Sequence, residues 1–248
     1  MKSTDSSRKL VKGLTLLELL VAIAIVAILS TMTFPVLNAV KVASSKVMAA
    51  NTLNQLRLAS EMYLTDNNGN YWPFRTNVAE GVKWWFGLEK TGGSNAEGQR
   101  SLDMSQGILG NYFGRTTTVK TDPAFAMHGK TLKPKFVEGA FGYGYNTLLF
   151  GRNRDAIGNP SKIVVFATSA QVNTFQAPAS SKNPMIEEFY LLDRMNTTVH
   201  FRFGGKAMVA FADGRIDYLP MDKSTLDPRL PTANVARFSP RGTGAYLE

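Results

Sequence analysis

One acidic residue, Glu18, stands inside an otherwise apolar stretch that covers residues 14–37. A carboxylate at a bilayer centre costs about 2.5 to 3.5 kcal/mol, so such a residue predicts a function and a partner. No Lys, Arg or His lies within helical reach on the apolar side of Glu18, so the partner must come from elsewhere. A cut after Gly13 would create a positive α-amine on Leu14, and the amine of one copy could pair with Glu18 of the next. An exposed glutamate at the start of a helix is the alternative.

The sequence offers few other residues for catalysis. It has no Cys and two His, which excludes disulfides, Cys-bound zinc and thiol nucleophiles. His128 is predicted in a loop, and His200, on a strand with Val199 and Phe201 pointing inward, is predicted to face solvent. The motifs of zinc proteases, serine hydrolases, dinucleotide-binding proteins and P-loop proteins are absent from the sequence. The sequence therefore predicts a protein that is not an enzyme.

Three acidic residues of the C-terminal half could gather around calcium, which prefers carboxylate and carbonyl oxygens. They are Asp193, Asp213 and Asp217. Their spacing does not match a calcium-binding loop, and the dipeptide Asp213-Gly214 is typical of a β-hairpin turn. The sequence thus predicts no cofactor, with calcium as the alternative.

The formal net charge of +9 raises the question of nucleic-acid binding. The first 13 residues hold four basic residues and one acidic residue, so they account for +3 and leave +6 on the rest. Those remaining basic residues are scattered rather than arranged in a stripe. Trp72, Trp84 and Trp85 could stack on single-stranded bases, but indoles more often fill cores or interfaces. Nucleic acid is therefore an unlikely partner.

Residues 14–37 are long enough to cross a membrane as a helix. At 1.5 Å per residue, the 24 residues span about 36 Å, compared with about 30 Å of hydrocarbon. The basic segment before them predicts a cytoplasmic N-terminus. The predicted location is therefore a single pass through the inner (cytoplasmic) membrane, with the head in the periplasm, or outside the cell when it is part of a filament. A secretory signal peptide is the alternative, but Glu18 and a helical pattern beyond the apolar stretch argue against it.

The helical pattern continues beyond Pro35, which is predicted to kink the helix or loosen one turn. Apolar or small residues recur every three or four positions and predict an amphipathic helix over residues 38–64. The predicted apolar stripe consists of Val36, Val40, Ala43, Val47, Ala50, Leu53, Leu56, Ser60 and Tyr63. The turn residues from Asp66 to Asn70 predict where it ends.

The C-terminal half predicts short antiparallel β-strands at residues 162–167, 199–203, 207–212 and 215–219. The last three are predicted to form a meander, with Asp213-Gly214 as its second turn. One sheet face is expected to pack on the amphipathic helix while the other faces solvent. The predicted fold class is therefore α+β.

Residues 12–35 resemble the cleavage and methylation segment of type IV prepilins and type II secretion pseudopilins. In that family a prepilin peptidase cuts after a glycine, here Gly13, and methylates the new N-terminal residue, here Leu14. The family's glutamate stands fifth after the cut, where this sequence has Glu18, and its frequent proline stands twenty-second, where it has Pro35. The resemblance implies a pilin-like fold, in which the second half of a long N-terminal helix packs on a small antiparallel β-sheet head. It implies a leader at 1–13, a transmembrane and assembly half at 14–37, an amphipathic half at 38–64 and a head at 65–248.

Two later stretches also resemble pilin-like proteins. The passage at 63–73, with its Asp-Asn-Asn-Gly turn, resembles the helix exit of many pseudopilins. The stretches 141–146 and 202–214 resemble large pseudopilin-like proteins that carry a His, a nine-residue spacer and Asp-Gly. Phe203 occupies the position of that histidine, and His200 lies three residues earlier. No role of the histidine is therefore transferred to this chain.

The resemblance implies a structural subunit of a periplasmic pseudopilus for type II protein secretion. The implied partners are prepilin peptidase, copies of this chain, other pilin-like subunits and an inner-membrane assembly platform. The helix-exit turn and the absence of Cys favour this assignment. One alternative is a type IV pilus subunit for adhesion, motility or DNA uptake. The other is a membrane-anchored binding protein or enzyme that uses a pilin-like anchor.

Overall fold

The computed structural model describes residues 15–94, 96, 98–113, 122–138, 141–172, 179–193 and 195–238, apart from the side chains of 32–38 and 130. The chain divides into an N-terminal unit, Met1–Ser44, and a C-terminal unit, Ser45–Glu248. Of the residues predicted to act at the peptidase cut, Gly13 and Leu14 lie outside the described part.

The described secondary structure consists of two α-helices, thirteen short strands and seven single-turn 3-10 helices. Helix α1 covers Leu16–Asp66, and helix α2 covers Pro123–Ala126. The strands are β1 (Arg75–Val78), β2 (Gly81–Trp84), β3 (Gly87–Lys90), β4 (Leu132–Lys133), β5 (Tyr143–Asn146), β6 (Val164–Thr168), β7 (Gln171–Val172), β8 (Ile186–Glu187), β9 (Leu191–Leu192), β10 (Val199–His200), β11 (Lys206–Phe211), β12 (Ile216–Asp222) and β13 (Val235–Phe238).

The long N-terminal helix predicted from the sequence is confirmed as α1. Pro35 lies inside it, and the kink predicted there stays a prediction. The helix ends as predicted, because Asn68 and Gly69 adopt positive φ angles of 53° and 76°. The N–H of Gly69 then donates to the carbonyl oxygen of Leu64 at 2.7 Å, which satisfies one of the free carbonyls at the helix end.

In the C-terminal unit, α1 buries one face in the largest hydrophobic cluster, so the predicted packing of the amphipathic half is confirmed. The buried face consists of Ser45, Ala49, Leu53, Leu56, Ala59, Ser60 and Leu64. The predicted stripe is right from Leu53 onward and wrong at Val40 and Val47, which are 57% and 61% exposed. The positions of the predicted stripe recur about every 3.4 residues, whereas an α-helix makes one turn every 3.6 residues. Over residues 36–63 the predicted stripe therefore drifts about half a turn around the helix.

The main sheet is larger than predicted and is not purely antiparallel. Its seven strands lie in the order β10-β13-β12-β11-β6-β5-β9, and the pair β5–β9 is parallel. The sheet also curls toward closure, because a bridge between Ser169 and Val199 joins strand β10 to the end of β6. The prediction of a small antiparallel sheet is therefore wrong, although the α+β class is consistent with the structure.

The predicted hairpin at Asp213-Gly214 is confirmed, whereas the three-stranded meander is wrong. Strands β11 and β12 pair across the turn, where Gly214 adopts a positive φ of 88°. Strand β10 does not pair with β11 but with β13, placing Val199 opposite Ala236. The sequence gives little sign of this pairing, because β10 is two residues long.

Two further sheets flank the main one. Strands β1, β2 and β3 form an antiparallel sheet, and β4, β8 and β7 form a second sheet in which β4 and β8 are parallel. Aromatic side chains dominate the core, where Trp72 stacks on Tyr145 with ring centroids 4.7 Å apart. Trp72 and Trp85 are fully buried, so neither can stack on nucleic-acid bases.

Candidate functional site

The described chain begins with a reciprocal set of hydrogen bonds between Thr15 and Glu18. The backbone N–H and the hydroxyl of Thr15 donate to Oε2 of Glu18, at 2.8 and 2.9 Å. In return, the backbone N–H of Glu18 donates to Oγ1 of Thr15 at 3.2 Å. This arrangement is a capping box, which satisfies N–H groups that the first turn of a helix leaves free. This capping box was not predicted, although its sequence signal, Thr-x-x-Glu before an apolar run, is present.

The capping box corrects the expectation that every partner of Glu18 must come from elsewhere. Thr15 supplies local hydrogen bonds but no positive charge. Over the described part of the chain, no Lys, Arg or His forms an ion pair with Glu18. The carboxylate is therefore held in place at the start of α1 while its charge remains uncompensated by those residues.

Large apolar side chains are exposed all around helix α1 over residues 16–29. Their exposed fractions range from 48% at Val21 to 82% at Leu16. The set consists of Leu16, Leu17, Leu19, Leu20, Val21, Ile23, Ile25, Val26, Ile28 and Leu29. An apolar surface of this extent usually marks a contact with another protein or with lipid. Residues 16–29 thus form an apolar rod whose side chains are exposed among the described residues.

The structure does not confirm the predicted membrane crossing by residues 14–37. When the helices of the described residues are tested for length and apolarity, none qualifies as a membrane span.

The two histidines, predicted to lie in a loop and on a solvent-facing strand, come together in the C-terminal unit. His200 is fully buried, which corrects the solvent-facing prediction, and its ring centroid lies 4.8 Å from that of the half-buried His128. Burial and the nearby Arg202 guanidinium hold the pKa of His200 well below its usual range, with a smaller opposing effect from the Ala233 backbone. His128 has a lowered pKa for the same two reasons. Both rings are therefore neutral at pH 7.

A buried ion pair lies beside these histidines. Nη1 of Arg202 is 3.3 Å from Oδ2 of Asp122, and both side chains are almost completely buried. The contact is electrostatic, since neither atom has a hydrogen bond of good geometry within the described residues. Oδ1 of Asp122 accepts the Ala124 N–H at 2.8 Å and so caps α2. The guanidinium also donates to the Gly142 carbonyl and stacks on the Phe125 ring, 4.5 Å from its centroid.

Gly142 makes room for this cluster. Its φ is 72°, and a Cβ there would approach the Phe125 ring to 2.8 Å and Nη1 of Arg202 to 3.1 Å. Asp122 and Arg202 were not predicted as a pair, because each has the local sequence of an ordinary surface charge. The contacts of this cluster within the described residues, an ion pair, a helix cap and ring stacking, are those of a structural core.

The three acidic residues considered for calcium do not form a metal site. Asp213 and Asp217 both form ion pairs with Arg215, and Asp193 accepts backbone N–H bonds from Met195 and Asn196. Across the described ranges, no group of three or more His, Asp or Glu side chains could hold a metal ion.

Comparison with known families gives one match. Residues 8–34 match the model of the prokaryotic N-terminal methylation motif, a segment that includes Gly13, Leu14 and Glu18 and ends just before Pro35. No curated protein and no solved structure matches the chain. The matched motif is the prepilin-type cleavage and methylation segment of the type IV pilin and pseudopilin family.

The motif therefore indicates a type IV pilin-like protein that is processed by prepilin peptidase and assembles with other pilin-like subunits. The capping box at Thr15 and Glu18 falls within the matched residues, as does most of the exposed apolar rod.

Proposed function

We propose that the chain is a structural filament subunit rather than an enzyme. Prepilin peptidase would cut after Gly13 and methylate Leu14, and the mature chain would join copies of itself and other pilin-like subunits on an inner-membrane assembly platform. The methylation motif at residues 8–34 carries the proposal. The exposed apolar rod of the N-terminal unit supports it, since a head-to-tail filament would bury this surface between subunits.

We further propose that residues 14–37 hold the subunit in the inner membrane before assembly, with the N-terminus cytoplasmic and the head periplasmic. The support is the length of this apolar stretch and the basic segment before it. A reporter enzyme that is active only in the periplasm tests the orientation when it is fused to the chain after residue 238. Activity of the reporter is expected, and its inactivity, together with activity of a cytoplasmic reporter, would contradict the topology.

Within the filament class, we propose a pseudopilus of a type II secretion system. The support is the Asp-Asn-Asn-Gly helix exit and the absence of Cys. Deleting the gene should abolish secretion of folded proteins and leave surface pili intact. Loss of surface filaments, adhesion or DNA uptake with normal secretion would favour the pilus alternative. Ligand binding or turnover by the purified chain would favour the anchored enzyme or binding protein.

The peptidase cut gives the most direct test of processing. A bulky residue, as in Gly13→Phe, is expected to block cleavage and leave a band of unprocessed size on a gel. Gly13→Ala is the matched control, because it adds one methyl group and should still be cut. Equal processing of the two variants would contradict cleavage at this position.

The charge of Glu18 can be separated from its capping role. We propose that its carboxylate pairs with the α-amine of Leu14 in the next subunit, which sets the register of assembly. Glu18→Gln keeps a side chain that can complete a capping box, but it removes the charge. This variant should be cut and should reach the membrane normally, yet it should lose most filaments. Normal filament yield from Glu18→Gln would show that the charge does not set the register.

A further inference from the structure

Two successive glutamates are buried in the C-terminal unit, far along the sequence from the methylation motif. Glu187 ends strand β8 and Glu188 follows it, and both are 0% exposed. Two adjacent buried carboxylates are costly unless they are paired or carry a proton. The sequence gives a weak sign of them, since they interrupt the otherwise apolar run 185–192.

The positive charge nearest to the two glutamates is a buried lysine. Nζ of Lys135 lies 4.0 Å from Oε1 of Glu187, and it is also close to the Phe189 and Tyr190 rings, 5.4 and 5.5 Å from their centroids. Gln171 on strand β7 donates a hydrogen bond to the same carboxylate oxygen of Glu187. Glu187 therefore has both a cation and an amide donor.

Glu188 is bound differently, through neutral donors. Its Oε1 accepts the backbone N–H of Lys135 at 2.8 Å and the hydroxyl of Tyr190 at 2.7 Å. Its Oε2 is buried and has no hydrogen-bond partner within the described residues. Burial is the main cause that raises the pKa of Glu188 to about 7, and the negative charge of Glu187 raises it further. The hydrogen bonds from Tyr190 and Lys135 and the positive charge of Lys135 act in the opposite direction and lower it.

Other charged groups face this cluster from the elements around it. Lys133 on strand β4 lies opposite Glu187 in the register. Arg100 is held by Glu89 through two hydrogen bonds of 2.6 and 2.7 Å, and its charge acts on Tyr190. The Lys135 charge also acts on Glu89. Arg100 is thus engaged by its own carboxylate, whereas the Lys135 charge acts on both buried glutamates.

We propose that the Glu188 carboxyl group is a pH-dependent switch: with its proton it keeps the segment 186–192 packed on residues 133–136, and rising pH weakens this contact because the carboxylate is better accommodated in water, where the opened segment exposes it. The segment links strands β8 and β9, so the switch controls how firmly two of the three sheets are joined. A subunit whose head faces the cell exterior would thereby respond to the pH of its surroundings.

Hydrogen exchange of the full chain in detergent tests the switch. An opened segment exposes Glu188 to water, where its pKa returns toward 4.5. The opening constants of backbone amides in 186–192, corrected for intrinsic exchange, should therefore rise about tenfold per pH unit between pH 5 and 7 and level off near pH 8. Glu188→Gln should remove this rise, and the exposed control Glu80→Gln should retain it. A pH-independent wild type, or an unchanged rise in Glu188→Gln, would overturn the proposal.

A second readout does not require the variant to fold. The Trp85 indole donates to the Tyr190 carbonyl oxygen at 2.9 Å, so the fluorescence of wild-type protein should shift over the same pH range. Infrared spectroscopy should show a protonated carboxyl band at pH 5.5 that disappears by pH 8.5. Absence of both changes in the wild type would overturn the proposal on its own.

Discussion

The two units of this chain differ in what their apolar side chains touch. In the N-terminal unit, Leu16 and its apolar neighbours are about half to four-fifths exposed. In the C-terminal unit, Leu53 and Leu56 on the same helix are fully buried against aromatic residues of the sheet. One helix therefore serves two purposes. Its later turns contribute to a folded core, while its first turns carry apolar side chains that are exposed among the described residues.

Polar contacts follow the same division. Glu18 is held by a local capping box with Thr15, three positions earlier. In the C-terminal unit, by contrast, buried charges also pair over long sequence distances, as Arg202 does with Asp122 and Lys135 with Glu187. Substitutions in the N-terminal unit should therefore affect processing and assembly, whereas those in the C-terminal core should affect folding.

The largest expected effect on stability comes from the buried ion pair. Arg202→Met leaves the buried Asp122 without its cation, so the free energy of unfolding should fall by about 3 to 5 kcal/mol. Denaturant unfolding of the full chain in detergent measures this loss. The exposed pair of Arg154 and Glu61 is the control, because Arg154→Met should cost less than about 1 kcal/mol.

A double variant sharpens this prediction. Asp122→Asn keeps an oxygen that can cap α2, and it removes the charge that Arg202→Met would strand. Combining the two substitutions should recover part of the lost stability. A double variant that is less stable than Arg202→Met alone would contradict an electrostatic cause.

A matched pair of leucines tests which face of α1 carries the core. Leu53→Ala removes a fully buried side chain, and the free energy of unfolding should fall by about 2 to 5 kcal/mol. Leu58→Ala changes a side chain that is 47% exposed, so it should cost less than about 0.5 kcal/mol. Equal losses in thermal or denaturant unfolding would mean that the buried face is assigned incorrectly.

Acid should destabilise the C-terminal unit through His200. The pKa of folded His200 lies well below its usual 6.5, so at acid pH the unfolded chain binds a proton that the folded chain does not bind. Below pH 6.5, stability should fall by about 1.4 kcal/mol per pH unit for this one group. Glu188, with its raised pKa, acts in the opposite direction between pH 4.5 and 7.

The pH dependence caused by His200 can be separated from that caused by Glu188 in a Glu188→Gln background. In that background, the free energy of unfolding should depend more steeply on pH in the chain that keeps His200 than in the chain that also carries His200→Gln. Identical slopes in the two chains would contradict a neutral buried histidine.

The smallest expected effect is at the capping box. Thr15→Ala removes one partner of the reciprocal bonds and should cost about 1 kcal/mol of local helix stability. Hydrogen exchange at residues 16–19 should accelerate, while exchange in the head should not change. Thr15→Ser, which keeps the hydroxyl, is the control. Slower or unchanged exchange in Thr15→Ala would show that the box does not hold the first turn.

Features set by neighbouring residues could be predicted from the sequence. The end of α1 at Asn68 and Gly69 and the hairpin at Asp213-Gly214 depend on turn residues that tolerate positive φ. The capping box at Thr15 was equally local and could have been found.

Features set by distant residues could not be predicted in this way. His200 is buried because β10 pairs with β13, and a two-residue strand carries too little pattern to reveal its partner. Asp122 and Arg202 are 80 positions apart, so nothing in their local sequence indicates that they meet. The parallel pairs β4–β8 and β5–β9 escaped prediction for the same reason.

The central claim is that a peptidase exposes a new N-terminus beside Glu18, and the intact mass and terminal sequence of the mature chain test it most directly. The account predicts a polypeptide that starts with Leu14 and carries one added methyl group on its α-amine. A mature chain that starts at Met1, or one that starts beyond Ser30, would contradict it.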